Sequence, residues 1–344
     1  PCRVLSAPEH FAAARVVGRV AAAEPPADEE AEAELARIAD FLVEERERRG
    51  WYGLVDFGDV MIAYYREPDR WAFDDGGYAW LNTESLPDLG LWLSALRAAR
   101  PDWLEAAVEM SRHNRDVDTY HRGELTGLGT RHNVNHWGCK DKEWRVSMPL
   151  ARRLHYYLTG DPWTKEVILR TVAVYQSYER TARVAPSMTS ALAGIMTKWE
   201  LSGEAEDERT VRRLADLFAR AVREDGRWCD RLHANLATGE GEPEGEDPHE
   251  AHFFMDSFGG QHALVELAEL IDHGGLSDAL LAHLRFRLGG EGGAGVALLP
   301  SLAHAWRRTG EAVFREAIDE ALAKAHVEFE EAGGDGLLED PPHP

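Results

Sequence analysis

Between Arg131 and Arg145 the chain places two His, two Lys, two Arg, two Trp, one Asp and one Glu within fifteen residues. A core segment would not carry so many groups that resist burial, and a solvated face would not interleave them with Trp. The mixture suits a pocket for a polar ligand. His132 and His136 stand four apart, so on a helix they would share a face. They could ligate zinc there, but no third ligand at a known spacing accompanies them and Gly138 shortens any helix. As imidazoles they could instead exchange protons with a substrate near neutral pH, or simply pack in a loop. Lys140, Lys142 and Arg145 form a basic edge suited to an anion, or a solvated face paired through Glu143. Cys139 offers a thiol without a His–Asn partner order and reads as a small packed residue.

Two upstream segments share this character, Trp51–Asp59 and Asp74–Glu84, and Asp118–Arg122 leads into the basic stretch. Tyr78, Trp80, Trp137 and Tyr120 could stack on sugar rings, or serve as core aromatics. Asp56, Asp59, Asp74, Asp75 and Glu84 are candidate acids, bases or ion ligands, and Asp56 and Asp59 could equally cap helices. His249 and His252 precede an aromatic run and could form a second wall or cap a helix starting near Ser257. Arg183 is expected in a loop between helical stretches, from which it could reach inward. No phosphate loop, dinucleotide fingerprint, nucleophile elbow or zincin motif is present, so the reading assigns no metal site and no cofactor, with calcium the one ion the carboxylates could recruit.

These residues need a scaffold, and the rest of the chain reads as helical. A helix is expected at about Asp28–Arg48. Residues Trp51–Asn82 form an irregular aromatic-rich insertion with β-prone Val60–Tyr65, room for a short hairpin. From Leu86 onward helical runs are punctuated by Thr159-Gly-Asp, Ser202-Gly-Glu and Thr309-Gly-Glu, with looser versions at Arg100–Asp102 and Asp272–Gly275. Glycine ends one helix in a left-handed cap and an acid opens the next, so each turn joins antiparallel neighbours. Irregular gaps between turns favour an all-α (α/α) toroid of five to six hairpins over a short-period solenoid. The acidic run Thr238–Pro248 reads as a loop. The expected organisation is an N-terminal segment over 1–28, possible remnant of an upstream domain, the toroid over 29–332 and a tail over 333–344.

The 344 residues hold 38 basic and 61 acidic side chains, a net charge of −23, which argues against nucleic acid as a partner. The three cysteines build no disulfide framework, and no apolar run reaches the ~20 residues of a membrane span. The opening at Pro1, without a charged-then-apolar leader, suggests part of a longer protein and leaves localisation and oligomeric state open.

His136-Trp-Gly, Asp141-Lys142, Arg145 and Tyr156-Tyr-Leu-Thr-Gly-Asp161 together resemble the helical domain of exo-rhamnogalacturonan lyase-like proteins. Tyr52–Asp59 and Gly77–Glu84 are similar too, the match being best over Trp51–Asp161. The resemblance implies a toroid that is joined to β-sandwich domains in those lyases, an acidic oligosaccharide or polysaccharide as partner, and β-elimination at a uronic acid. In that chemistry Arg145, Lys140 or His132 would neutralise the substrate carboxylate. Lys142, His136 or Tyr78 would take the C5 proton, and Tyr78 or His136 would protonate the leaving oxygen. Asn82, Glu84 and Trp137 would orient the sugar, with Asp141, Trp80, Asp56, Tyr120 and His252 completing the subsite. The residues alone leave open a glycoside hydrolase using a pair such as Asp56 and Glu84, and a non-enzymatic binding scaffold.

Overall fold

The short turns begin the architecture. Gly160, Gly203 and Gly310 take left-handed φ values of 67°, 66° and 71° and end their helices. In each turn the hydroxyl just before the glycine accepts the N–H of the acid just after it: Thr159 from Asp161, Ser202 from Glu204 and Thr309 from Glu311, at 3.1–3.2 Å. The Thr/Ser-Gly-acid pattern thus satisfies a backbone donor that a tight reversal would otherwise strand. The Asp272 turn differs, since Asp272 itself holds the positive φ of 47° and the His273 ring caps the next helix through Leu276 N.

The computed structural model describes residues 6–53, 56–61, 63–65, 69–72, 80, 86–129, 144–245, 255–256, 258–290 and 295–331. Among them are α1 (Pro8–Ala14), α2 (Glu29–Arg49), α3 (Pro87–Ala98), α4 (Pro101–Asp116), α5 (Leu150–Thr159) and α6 (Pro162–Gln176). Then follow α7 (Thr189–Ser202), α8 (Ala205–Arg220), α9 (Gly260–Leu270), α10 (Gly274–Leu288), α11 (Leu299–Thr309) and α12 (Ala312–Glu331). From α3 onward consecutive helices pair as five hairpins, and α3, α5, α7, α9 and α11 pack on one another in that order as an inner row. Helix α2 lies against α12 at one side and α3 and α4 at the other, which closes the ring. The described residues form an all-α toroid of five hairpins and a closing helix.

Burial separates the rows. Every residue of α7 from Thr189 to Thr197 is buried, as expected for an inner helix apolar all round. In α8, Asp207, Val211, Leu214, Ala215 and Phe218 are buried at helical spacing while Arg209, Arg212, Arg213 and Asp216 face water. Gly194 of α7 lets the Tyr175 ring of α6 approach, since a Cβ there would lie 2.8 Å from Tyr175 Cε2.

The inner row is also stitched by charge. Fully buried Arg153 of α5 donates to Glu200 of α7 at 3.0 Å and to both oxygens of Glu266 of α9 at 2.5 and 2.6 Å. The Tyr157 hydroxyl adds a 3.0 Å bond to Glu200. Burial pushes the Glu200 carboxyl above its ordinary value, against the pull of Arg153. A second set continues the stitch, with Glu269 of α9 binding Arg19 at 2.8 Å, His304 at 3.0 Å and Arg307 at 2.6 Å.

Two small sheets decorate the ring. The β-prone insertion does form a hairpin, β1 (Ala63–Tyr65) against β2 (Arg70–Ala72). The acidic run expected as a loop instead contains β5 (Glu240–Glu244), the outer strand of an antiparallel sheet with β4 (Arg231–Asn235) and β3 (Glu179–Arg183). Its register sets Glu244 opposite Arg231 and Glu242 opposite His233, and the full backbone ladder to β4, with Arg220 of α8 donating to the Gly241 carbonyl at 3.1 Å, holds a strand that its own propensity does not favour. Arg183 lies in β3 rather than in a loop. Asp56 and Asp59 sit in and after the turn Asp56–Gly58, and neither caps a helix. No helix among the described residues is long and apolar enough to cross a membrane.

Two outcomes follow. Arg153→Met strands two carboxylates inside the ring and should lower the unfolding free energy by about 3 kcal/mol or more in denaturant titrations, with Glu266→Gln restoring part of it in the double variant. His155 of α5 lies stacked on Trp92, and burial, then the Arg115 charge, hold its pKa down to about 4. Its contribution is complete above the unfolded value of about 6.5 and is lost as pH falls from there toward 4, roughly 2 kcal/mol by pH 4.5. Urea unfolding at pH 7 and pH 4.5 should show that difference shrinking in His155→Gln.

Candidate functional site at the shared end of the ring

Connections inside the hairpins are short and those between hairpins are long, so the long ones enter the inner row at its first turns. Three observations bring those first turns together. A Cβ on Gly259, just before α9, would lie 2.4 Å from Leu86 Cδ1, just before α3, and 3.5 Å from Met148 Sδ, just before α5. The 3-10 turn Trp144–Ser147 packs on the turn Val184–Met188, which leads into α7. Gly129 N donates to Ser147 Oγ at 2.6 Å, so the two described ends of the 117–149 connection also meet.

Below this end lies a buried polar layer built largely from the last turn of α4. Ser111, His113, Asn114 and Arg115 are buried in a stretch whose residue types suggest a solvated face. Asp88, in the first turn of α3, accepts from Ser111 Oγ at 2.8 Å and Asn114 Nδ2 at 3.1 Å, and burial raises its carboxyl above the ordinary value. Trp92 Nε1 donates to the same Ser111 hydroxyl. Fully buried Arg152 of α5 donates to Thr119 Oγ1 at 2.7 Å and the Asn114 carbonyl at 3.3 Å, and burial lowers its pKa. Arg115 binds Asp116, Asp161 and Thr164, and so fixes the start of the 117–149 connection to the α5–α6 turn.

The aromatic insertion is anchored to the same layer. Gly58, at φ 80°, approaches α4 so closely that a Cβ would lie 2.9 Å from the Glu109 backbone carbon. That approach delivers Asp59, wholly buried, to His113 of α4, Oδ2 to Nε2 at 3.3 Å. Asp118 reaches the same Nε2 at 3.5 Å. His113 Nδ1 lies 3.1 Å from the Phe57 carbonyl. Burial, then the Asp118 charge, push the Asp59 carboxyl well above its ordinary value. One imidazole therefore joins the segment that begins at Trp51 to the segment that begins at Asp118. The ligand atoms of Asp59, His113 and Asp118 lie within 4.8 Å of one another, a separation that could hold a metal ion.

The sequence candidates fall as follows. Trp80 forms a bridge with Met61 and meets Trp51 edge-on at 5.8 Å, within an aromatic group that includes Trp71. Asp56 is half-buried in the turn before Asp59, and its carbonyl accepts the Asp59 N–H. Tyr120 is half-buried and exchanges backbone bonds with Gly127 and Leu128. Arg145 has its backbone in the 3-10 turn, where the Tyr175 hydroxyl donates to the neighbouring Trp144 carbonyl at 3.0 Å. Tyr78, Asn82, Glu84, His132, His136, Trp137, Lys140, Asp141, Lys142 and His252 lie outside the described residues. His113 escaped the sequence reading. Its signal is the polar run Ser111–Arg115 in a helix whose other face is apolar, a run with too little partner charge of its own.

A separate cavity of about 440 Å³ lies among α3, α7, α9, α11 and the segment Arg15–Val20. Glu200, Glu269 and Arg307, from the last turns of their helices, line it, and none of the described candidate residues does.

The family model of the PcRGLX-like protein C-terminal alpha/alpha toroid domain matches residues 1–292, and the chain belongs to that family. The resemblance carried by His136-Trp-Gly and its neighbours is therefore borne out at the level of the family. The "Uncharacterized protein YetA" of Bacillus subtilis (strain 168) is 33% identical over 273 residues, covering 72% of this chain. The chain spans 30% of the length of that relative.

Gly58→Ala should cost about 2 kcal/mol or more, because a left-handed backbone and a backbone contact must both yield. A thermal or denaturant midpoint equal to wild type would show that the insertion is not seated on α4 as described.

Proposed function

For this member of the PcRGLX-like toroid family we propose a carbohydrate-active lyase that cleaves a uronic-acid-containing, rhamnogalacturonan-like glycan by β-elimination. The observation that carries the reading is the meeting of Leu86, Met148 and Gly259, the described residues that follow the segments bearing Tyr78–Glu84, Arg131–Arg145 and His249–His252. The substrate class is taken from the resemblance of the His136–Arg145 motif to exo-rhamnogalacturonan lyase-like proteins. The alternative is a hydrolytic carboxylate pair such as Asp56 and Glu84, of which Asp56 is half-buried in the turn before Asp59 and Glu84 lies outside the described residues.

The chemistry divides among the residue types available. The C5 proton of a uronate becomes acidic when the adjoining carboxylate is neutralised, a task for Arg145, Lys140 or His132. A base, Lys142 or His136, takes that proton while the C4–oxygen bond breaks and a C4–C5 double bond forms. The leaving oxygen takes a proton from Tyr78 or His136. Asn82, Glu84 and Trp137 orient the ring, and Asp141, Trp80, Asp56, Tyr120 and His252 complete the subsite. The overall charge of −23 disfavours long-range attraction of an acidic polymer, so capture depends on the local cations of Lys140–Arg145.

Incubation with pectic, glucuronan and alginate oligosaccharides should generate the ultraviolet absorbance of the new double bond in step with reducing ends. Lys142→Ala and His136→Ala should each lower kcat/KM by about 100-fold or more with the thermal midpoint unchanged. Reducing ends without absorbance would replace the lyase by a hydrolase, and folded variants of full activity would remove these two residues from the mechanism.

A further inference from the structure

We propose that Asp59, His113 and Asp118 bind one divalent transition-metal ion, of the zinc or manganese class, at the junction of the aromatic insertion, α4 and the 117–149 connection. None of its three residues is among those proposed to cleave the sugar.

The geometry has the dimensions of a coordination sphere. His113 Nε2 lies 3.3 Å from Asp59 Oδ2 and 3.5 Å from Asp118 Oδ2. Charge-assisted hydrogen bonds between such groups are shorter, about 2.7–2.9 Å. Ligand atoms held at about 2.0–2.1 Å around a tetrahedral ion stand roughly 3.3 Å apart, the spacing seen here. His113 Nδ1 faces the Phe57 carbonyl at 3.1 Å, and a carbonyl can only accept, so Nδ1 carries the hydrogen. In the neutral ring this leaves the Nε2 lone pair directed at the two carboxylates. An outer bond that fixes the tautomer of a histidine ligand is the usual accompaniment of metal binding.

Asp59 supplies the independent indication. Its side chain is wholly buried, Oδ1 accepts from Val60 N at 2.9 Å, and Oδ2 points into the cluster without accepting a hydrogen bond. A buried carboxylate oxygen left in that state is costly, and a second carboxylate approaching the same His113 Nε2 compounds the cost. A dication offsets both charges at once. One imidazole nitrogen with two carboxylate oxygens matches borderline metals better than calcium, which takes six to eight oxygens. Placed there, the ion would cross-link the two segments that frame the end of the ring.

Elemental analysis of the protein, purified without metal resin, should find about one zinc or manganese per chain. After chelation, either ion added back at 100-fold over its Kd should raise Tm by about 5 °C. Asp59→Asn, near-isosteric, should lose both the metal and the shift. Cobalt added to the chelated wild type should give the visible absorption of a tetrahedral nitrogen–oxygen site, which keeps the test valid if Asp59→Asn does not fold. A wild type that holds no metal and does not respond to zinc, manganese or cobalt would overturn the proposal in favour of a proton shared among His113 and the two carboxyls. So would an Asp59→Asn protein that binds as the wild type does, or a response to calcium alone.

Discussion

A guanidinium with no water around it must be matched by carboxylates, and this ring of helices is organised around one such match. Arg153 is all but inaccessible, and its partners Glu200 and Glu266 come from two other inner helices. Apolar packing alone would let α5, α7 and α9 slide past one another at modest cost, because volume-conserving contacts are tolerant. A fork of hydrogen bonds to two helices fixes rotation and height together. The Glu269 set extends the same control to α11 and the N-terminal segment. With the inner row locked, its first turns have one arrangement, and the long connections that follow from it have fixed points of departure.

The two ends of the ring then acquire different characters. At the short-turn end the reversals are self-contained, three of the five closed by their own hydroxyl and glycine. At the other end the backbone enters from long connections, and the polar groups at α4 have to be satisfied by residues distant in sequence. Asp88, Asn114, Thr119 and Arg152 meet there, and Asp59 and Asp118 flank His113. Burial of so many ionisable groups is expensive and contributes little net stability. Its effect is to hold irregular segments in register with a rigid scaffold, the arrangement that a binding site on loops requires.

The helical architecture was legible in the chain because its cause is local. Helical periodicity, breaker residues and the repeated Gly-acid turn specify hairpins wherever they occur, and α2 could be read from its alanine- and glutamate-rich run. The acidic strand β5 was not legible. Glu240–Glu244 is a strand because β4 pairs along its whole length and α8 packs against it, and that pairing exists once α8 has turned the chain back. His113 was missed for a similar reason, since a histidine in a polar helix segment looks solvated until Phe57, Asp59 and Asp118 arrive from elsewhere.

By itself the sequence determined the helices, the turns that reverse them and the family to which the toroid belongs, all of which depend on neighbours within a few residues or on a pattern of residue types. Only the tertiary structure decided which polar groups are buried and against whom. The pairing of Arg153 with Glu266 spans 113 positions and that of His113 with Asp59 spans 54, and the desolvation that makes these contacts matter arises only when the ring has closed around them.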